Sequence, residues 1–179
     1  MTMVAKKTKD PIVQEGAKVL REVAKPVLKK DFGSLKLKNL IQKMSKALAR
    51  EQFGVAIAAP QVGQSLRLFI VAGRSFKNED DAEAPPNMVF INPEIIRLSR
   101  KKKEMSEGCL SVRGRYGTVL RHEKASVKAY DSNGKLFTYH ATGLVAHIFQ
   151  HECDHLDGIL YTDKAVRMRD DDGSADETE

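Results

Sequence analysis

Hydrophobic and polar positions follow two different periods along this chain. In SLKLKNLIQKMSKALAREQ (34–52), Leu37, Leu40, Ile41, Met44 and Leu48 recur at helical spacing, and Ser34 stands where an N-cap belongs. The pattern then shortens. VAIAA (55–59) and LRLFIVA (66–72) are brief apolar runs that read as strands, and NMVFINPEIIRLS (87–99) reads as a further pair around Pro93. In ASVKAYDSNGKLFTYHA (125–141), Asn133-Gly134 predicts a hairpin with a tight turn, because both residues tolerate positive φ. FKNEDDAEAPP (76–86) is polar and proline-ended, a surface loop. Helical spacing returns in TGLVAHIFQHECDHLDG (142–158), with Thr142 as the predicted cap and Gly158 as the stop. A helix, antiparallel strands and a second helix predict one α+β domain.

Composition narrows the setting. The 179 residues suit a single core, with 41% hydrophobic and 30% charged residues. No apolar run approaches the roughly 20 residues that span a bilayer. The basic N-terminus MTMVAKKTKD is not followed by the apolar stretch of a secretory signal, so no membrane partner and a cytoplasmic location are expected. Two cysteines, Cys109 and Cys153, are too few for a disulfide framework. The net charge is +6, but the last ten residues hold six acids and no base, leaving +12 on the first 169. That surplus favours polyanions such as RNA or the ribosome, or is a solvated basic surface. Without tryptophan or an aromatic-basic stripe, no stable nucleic-acid partner is expected. Residues 1–10 and 170–179 read as disordered ends around a domain at 11–169.

The second helix carries the chemistry. His151 and His155, in H-E-x-x-H, lie within about 40° of each other on one helix face. They can close on one metal ion, with Glu152 beside them to handle a proton. Leu144 and Ile148 share the stripe, which is expected to be buried. Cys153, between the histidines, points about 160–200° away and reads as a packed thiol. His147, His151 and His155 would spread over about 12 Å of helix, too far for one ion, so His147 reads as a wall residue. No histidine follows His155, and Asp157 and Asp163 are poorly placed, so a third ligand is expected upstream. Cys109 in SEGCLS (106–111) is one candidate, after Gly108, whose missing side chain lets backbone approach a site closely. GVAIAAPQ (54–61) is either a tightly packed strand and turn or a strand edge that points the Gln61 amide at a ligand.

Together GVAIAAPQ, EGCLS and QHECDHLDG, in this order, resemble the three signature motifs of peptide deformylases, and the likeness runs from VLREVAKPV near the start across about residues 11–163. The resemblance implies antiparallel strands around a central metal-binding helix. It implies a hydrolase that removes the formyl group from the N-terminal formyl-methionine of nascent polypeptides, releasing formate. Carried over by position, Cys109, His151 and His155 would hold a divalent ion. Iron(II) is the first expectation, with zinc, nickel or cobalt as alternatives. Glu152 would take the proton of a metal-bound water and later deliver it to the leaving amine. The Gln61 amide and the Leu110 backbone N–H would meet the oxyanion. Val55, Ala56, Gly108 and His147 would contact substrate, and Glu107 would be structural, pairing with Arg121.

The chain departs from the pattern in three places. Ala56 and Ile57 replace the Gly-Leu of the family's first motif, and the Ala56 methyl is expected to narrow the cleft. Arg113 stands where a proline often follows the second motif, which changes the cleft rim. His147 occupies a position that commonly lines the methionine pocket with an apolar side chain. The acidic C-terminus also lacks the basic helix through which some deformylases reach the ribosome, so only a transient ribosome contact is expected. Two other readings stay open at this level: a zincin-like endopeptidase with its third ligand outside EGCLS, and a basic RNA-associated module with a degenerate metal site.

Overall fold

The computed structural model describes residues 10–77 and 81–171. The ends expected to be disordered, and part of the loop expected at 76–86, lie largely outside these residues. Among these residues two α-helices, α1 (Leu35–Ala49) and α2 (Gly143–Leu156), accompany eight strands and several short 3-10 turns. These are β1 (Ala56–Ala58), β2 (Leu68–Val71), β3 (Met88–Leu98), β4 (Lys102–Cys109), β5 (Val112–His122), β6 (Lys124–Tyr130), β7 (Leu136–Thr142) and β8 (Ala165–Asp170). All named pairings are antiparallel, in a five-stranded sheet ordered β1-β2-β3-β6-β7 and a three-stranded sheet ordered β4-β5-β8.

The apolar runs become strands because helices cover both faces of the larger sheet. In β2, Leu68 and Ile70 pack with Leu37, Leu40, Met44 and Leu48 of α1. Phe69 and Val71 point the other way, into a cluster with Phe90, Val127, Phe149 and Leu156 on the α2 side. A strand covered on both faces needs no polar alternation. The Phe69 and Phe90 rings stack at 4.8 Å, and Phe149 of α2 meets Phe90 edge-on at 5.0 Å, which fixes α2 against the sheet.

Ser34 caps α1 as predicted, its side chain accepting from the Leu37 N–H. Thr142 occupies the cap position of α2 but makes no side-chain hydrogen bond there. The pair of strands expected around Pro93 is one continuous strand, β3, with a register shift between Ile91 and Glu94. Asn92 takes a φ of 49° at this point, and its amide bonds both the N–H and the C=O of Val27, each at 2.8 Å. The irregularity thus ties the N-terminal segment to the sheet. The predicted hairpin forms, but its connection spans Asp131–Lys135, and of Asn133 and Gly134 only the glycine has positive φ. Asp131 Oδ1 instead accepts from the Asn133 and Lys135 N–H groups.

The second sheet had no counterpart in the sequence reading. Its last strand also moves the expected boundary at residue 169: Asp170 closes β8, and the Asp171 N–H donates to the Gly114 carbonyl at 2.8 Å. This sheet matters because β4 ends on Cys109 and returns as β5 through Leu110 and Ser111 alone.

Candidate active site

A cleft of about 540 Å³ runs between the β4–β5 turn, the segment entering β1, and one face of α2. Val55, Ala56, Gln61, Gly108, Cys109, Leu110, His147, His151 and Glu152 all line it, so every residue expected to bind metal, act in the reaction or contact substrate, except His155, reaches its wall. His155 is 1% exposed and lies one turn beneath, its Nε2 3.2 Å from Cys109 Sγ. One ligand atom from each of Cys109, His151 and His155 falls within 4.8 Å of the other two. Ligands at about 2.0–2.3 Å around one tetrahedral ion stand roughly 3.3–3.8 Å apart, so the cluster fits a single ion with small adjustment. One thiol and two imidazoles suit a borderline divalent ion such as zinc or iron(II).

Helix geometry sorts the remaining candidates as expected. Cys153 is 5% exposed in the core cluster with Phe149 and Leu156, and burial pushes its thiol up to about 12, leaving it inert. His147 stays outside the ligand cluster. Leu144 differs from expectation: it is 50% exposed, because this end of the helix stripe faces the open cleft and not the core.

Glu107 organises the buried side of the site. Its carboxylate accepts from Arg121 Nε at 2.6 Å and Nη2 at 3.0 Å, from His147 Nε2 at 2.6 Å, and from His151 Nδ1 at 2.7 Å. Burial alone would raise its pKa, but the bonds from His147, His151 and Arg121 outweigh this and hold it well below the carboxylate range. The pairing with Arg121 was implied by the resemblance; the two histidine bonds were not. His151 thereby donates from Nδ1 and turns Nε2 toward Cys109 and His155, the orientation a metal ligand needs. Burial opposes a charge on His151, yet Cys109 and Glu107 beside it raise its pKa well above the usual value. The same burial is not offset at His155, where the neighbouring His151 adds to it and the pKa is pushed well below the usual value. Asp154, unnoticed in the sequence, holds Arg121 Nη1 at 2.6 Å from the other side.

Glu152 is 3% exposed, with Oε2 buried and without a partner, as is Nδ1 of His155. Burial, reinforced by the Glu107 charge and partly offset by His151, raises its pKa to about 7. A carboxyl poised there exchanges a proton readily near neutrality. Gln61 is 1% exposed and fully oriented: Oε1 accepts from the Ala58 N–H at 2.8 Å, while Nε2 donates to Ser111 Oγ at 3.2 Å and faces Cys109 Sγ at 3.5 Å. Ser111 was not singled out from the sequence, although it closes the EGCLS motif. Gly108 has a role beyond close approach: a Cβ there would lie 2.9 Å from the Tyr116 ring, so its missing side chain makes room for Tyr116.

With this geometry in view, comparisons with known proteins agree with one another. The family model described as polypeptide deformylase matches residues 9–171. A peptide deformylase of Symbiobacterium thermophilum is 42% identical over 170 residues, covering 93% of this chain and 72% of that protein. One of Halothermothrix orenii is 39% identical over 163 residues, covering 91% and 93%. The fold superposes on a class I type b peptide deformylase of Acinetobacter baumannii bound to Met-Ala-Ser, with a TM-score of 0.76 and 37% identity over 86% of this chain and 96% of that one. The actinonin-bound form of the Acinetobacter protein gives the same TM-score at 35% identity, covering 87% of this chain and 97% of that one.

Proposed function

We infer the chemistry of the cleft from one premise: the chain belongs to the polypeptide deformylase family. It is a metal-dependent hydrolase that removes the N-formyl group from the N-terminal formyl-methionine of newly made proteins and releases formate. The observation that carries this reading is the convergence of Cys109, His151 and His155 beside Glu152 in one cleft.

Those three residues would hold the ion, and we take iron(II) as the native metal, with zinc, nickel and cobalt as the alternatives that metal analysis separates. When bound, the ion supplies positive charge that brings the pKa of water toward neutrality and polarises the formyl oxygen. Glu152, whose Oε2 is buried without another partner, would take the proton of the water that attacks the formyl carbon and return it to the amine nitrogen as the C–N bond breaks. Gln61 Nε2 and the Leu110 N–H donate to the oxyanion, and Ala58 and Ser111 hold the glutamine amide in one orientation throughout. Val55, Ala56, Gly108 and His147 contact the substrate as cleft walls. The endopeptidase alternative needs a third ligand outside EGCLS, whereas Cys109 Sγ already lies 3.2 Å from His155 Nε2.

A transient ribosome contact is supported by the exposed Arg97, Arg100, Lys102 and Lys103 around the β3–β4 connection, for which salt-dependent co-sedimentation is the measurement. No described helix is long and apolar enough to cross a membrane, and we place the protein in the cytoplasm with its nascent-chain substrate. The principal test uses anaerobic protein loaded with iron(II) or nickel, a short formyl-Met peptide, and formate as readout. Glu152→Ala should abolish turnover with metal retained, and Cys109→Ala should lose the metal. Absence of formate from the wild type would sink the reading.

A further inference from the structure

Arg113 sits on the cleft rim just beyond the Leu110–Ser111 turn, and its guanidinium reaches across to a second wall. Nη2 donates to Glu51 Oε1 at 2.8 Å and Nη1 to Glu51 Oε2 at 3.2 Å, a two-pronged pair, while Nη2 also meets Asp10 Oδ2 at 3.1 Å. Glu51 belongs to the tight loop between α1 and the segment entering β1. That loop is folded hard on itself, since a Cβ on Gly54 would lie 2.9 Å from Glu51 Cβ. Arg74 Nη2 donates to the carbonyls of Glu51 (3.2 Å) and Gly54, holding the loop from outside. Between those two residues Phe53 stands 86% exposed at the cleft edge.

We propose that the Arg113–Glu51 pair is a clasp that positions the Phe53 loop as a rim contact for the part of the peptide beyond the reacting end. The proposal rests on the hydrolase reading above. Arg113 and Glu51 are positioning residues: they touch neither the reacting atoms nor the ligand cluster. The reacting end is tied together independently, because Gln61 bridges to Ser111 and the Glu15 N–H donates to the Ser111 carbonyl at 2.7 Å. Releasing the clasp therefore leaves the chemistry in place and loosens only the rim, so the loop must be ordered each time a peptide binds. The effect belongs in KM, and only for substrates long enough to reach Phe53.

The test is steady-state kinetics of the metal-loaded enzyme on formyl-Met amide and on a formyl-Met tetrapeptide, at low and high salt. R113A should raise KM for the tetrapeptide by about fivefold, the scale of one partly exposed ion pair, with kcat and the amide substrate unchanged. F53S should reproduce that split. High salt should raise the wild-type KM toward that of R113A and leave R113A unmoved. The charge-swapped pair E51R/R113E, in a D10N background so that no like charge stands beside it, should recover most of the loss. Equal losses on both substrates, a change confined to kcat, or no recovery by the swap would overturn the clasp. If the wild type turns over no formyl peptide, the hydrolase reading fails separately. Amide hydrogen exchange over residues 50–54 still judges the clasp, which is wrong if R113A exchanges there no faster than wild type.

Discussion

Two two-pronged arginine–carboxylate forks stand at the same cleft, Arg121 gripping Glu107 through Nε and Nη2 and Arg113 gripping Glu51 through both Nη atoms, yet they live in different solvents. The Arg121–Glu107 fork has side chains 5% and 2% exposed, and it is completed by Asp154, His147 and His151. The Arg113–Glu51 fork has side chains 46% and 20% exposed, with Asp10 as its further partner. Water screens the second and is excluded from the first. A buried charge without its counter-charge cannot be rescued by solvent, so every member of the inner fork depends on the others. The outer fork is a replaceable contact whose worth lies in where it holds a loop. Burial, not bond geometry, separates a scaffold from an adjustable rim.

The sharpest way to break this comparison is to remove the same atom group from each. Arg121→Met should destabilise the metal-free protein by about 3–5 kcal/mol, because Glu107 stays buried with its guanidinium gone. Arg113→Met should cost no more than about 1 kcal/mol. Urea unfolding of the two variants measures both, and equal losses would show that burial is not the deciding variable.

Replacing the carboxylates extends the contrast to metal. Glu107→Gln weakens the acceptor that fixes His151 Nδ1, and should reduce metal affinity about 10–100-fold in chelator competition. Glu51→Gln should leave that affinity unchanged. A Glu107→Gln enzyme that holds metal like the wild type would reduce the inner fork to a packing device.

Salt provides a gentler probe. The stability difference between wild type and Arg113→Met should shrink toward zero at about 1 M salt, while that for Arg121→Met should persist. Thermal melts at two ionic strengths decide it.

The smallest effect belongs to a third pair, Arg21–Asp163, whose side chains are 44% and 41% exposed. The hydrogen bond from Arg21 lowers the Asp163 pKa below its ordinary value of 3.8. Its stabilisation is therefore present above that value and is lost as pH falls through the lower, folded-state pKa. Asp163→Asn should cost no more than about 0.5 kcal/mol at neutral pH, a cost that vanishes once the pH lies below the lowered folded-state pKa, read from melts across the acidic range. A larger loss at neutral pH would show that exposure alone does not rank these pairs.

The parts legible in the sequence are those decided within a few residues. Helical spacing placed Leu37 through Leu48 on α1 and set His151 beside His155, and the same rotation put Cys153 in the core. The Ser34 cap and the Gly158 stop, at φ 73°, are equally local. Three short motifs resembling one family identified the reaction because each carries part of one site. The three-stranded sheet was not legible: β4, β5 and β8 carry too many exposed polar residues for an apolar run, and their pairing joins residues as distant as Arg115 and Asp170. The continuous β3 was misjudged because Pro93 breaks strands in general, and only the Asn92–Val27 bonds across 65 residues make the irregularity worth keeping.

By itself the sequence determined the helix that carries H-E-x-x-H, the fold class and the family, since periodicity and motif are properties of neighbouring residues. Tertiary structure alone decided that one carboxylate, Glu107, takes bonds from Arg121, His147 and His151, and that Arg113 crosses the cleft to Glu51. Those partners lie 14 to 62 residues apart in the chain. No local pattern encodes such separations. They arise when two sheets and a helix close on one another, and the burial that results sets the strength of each pair.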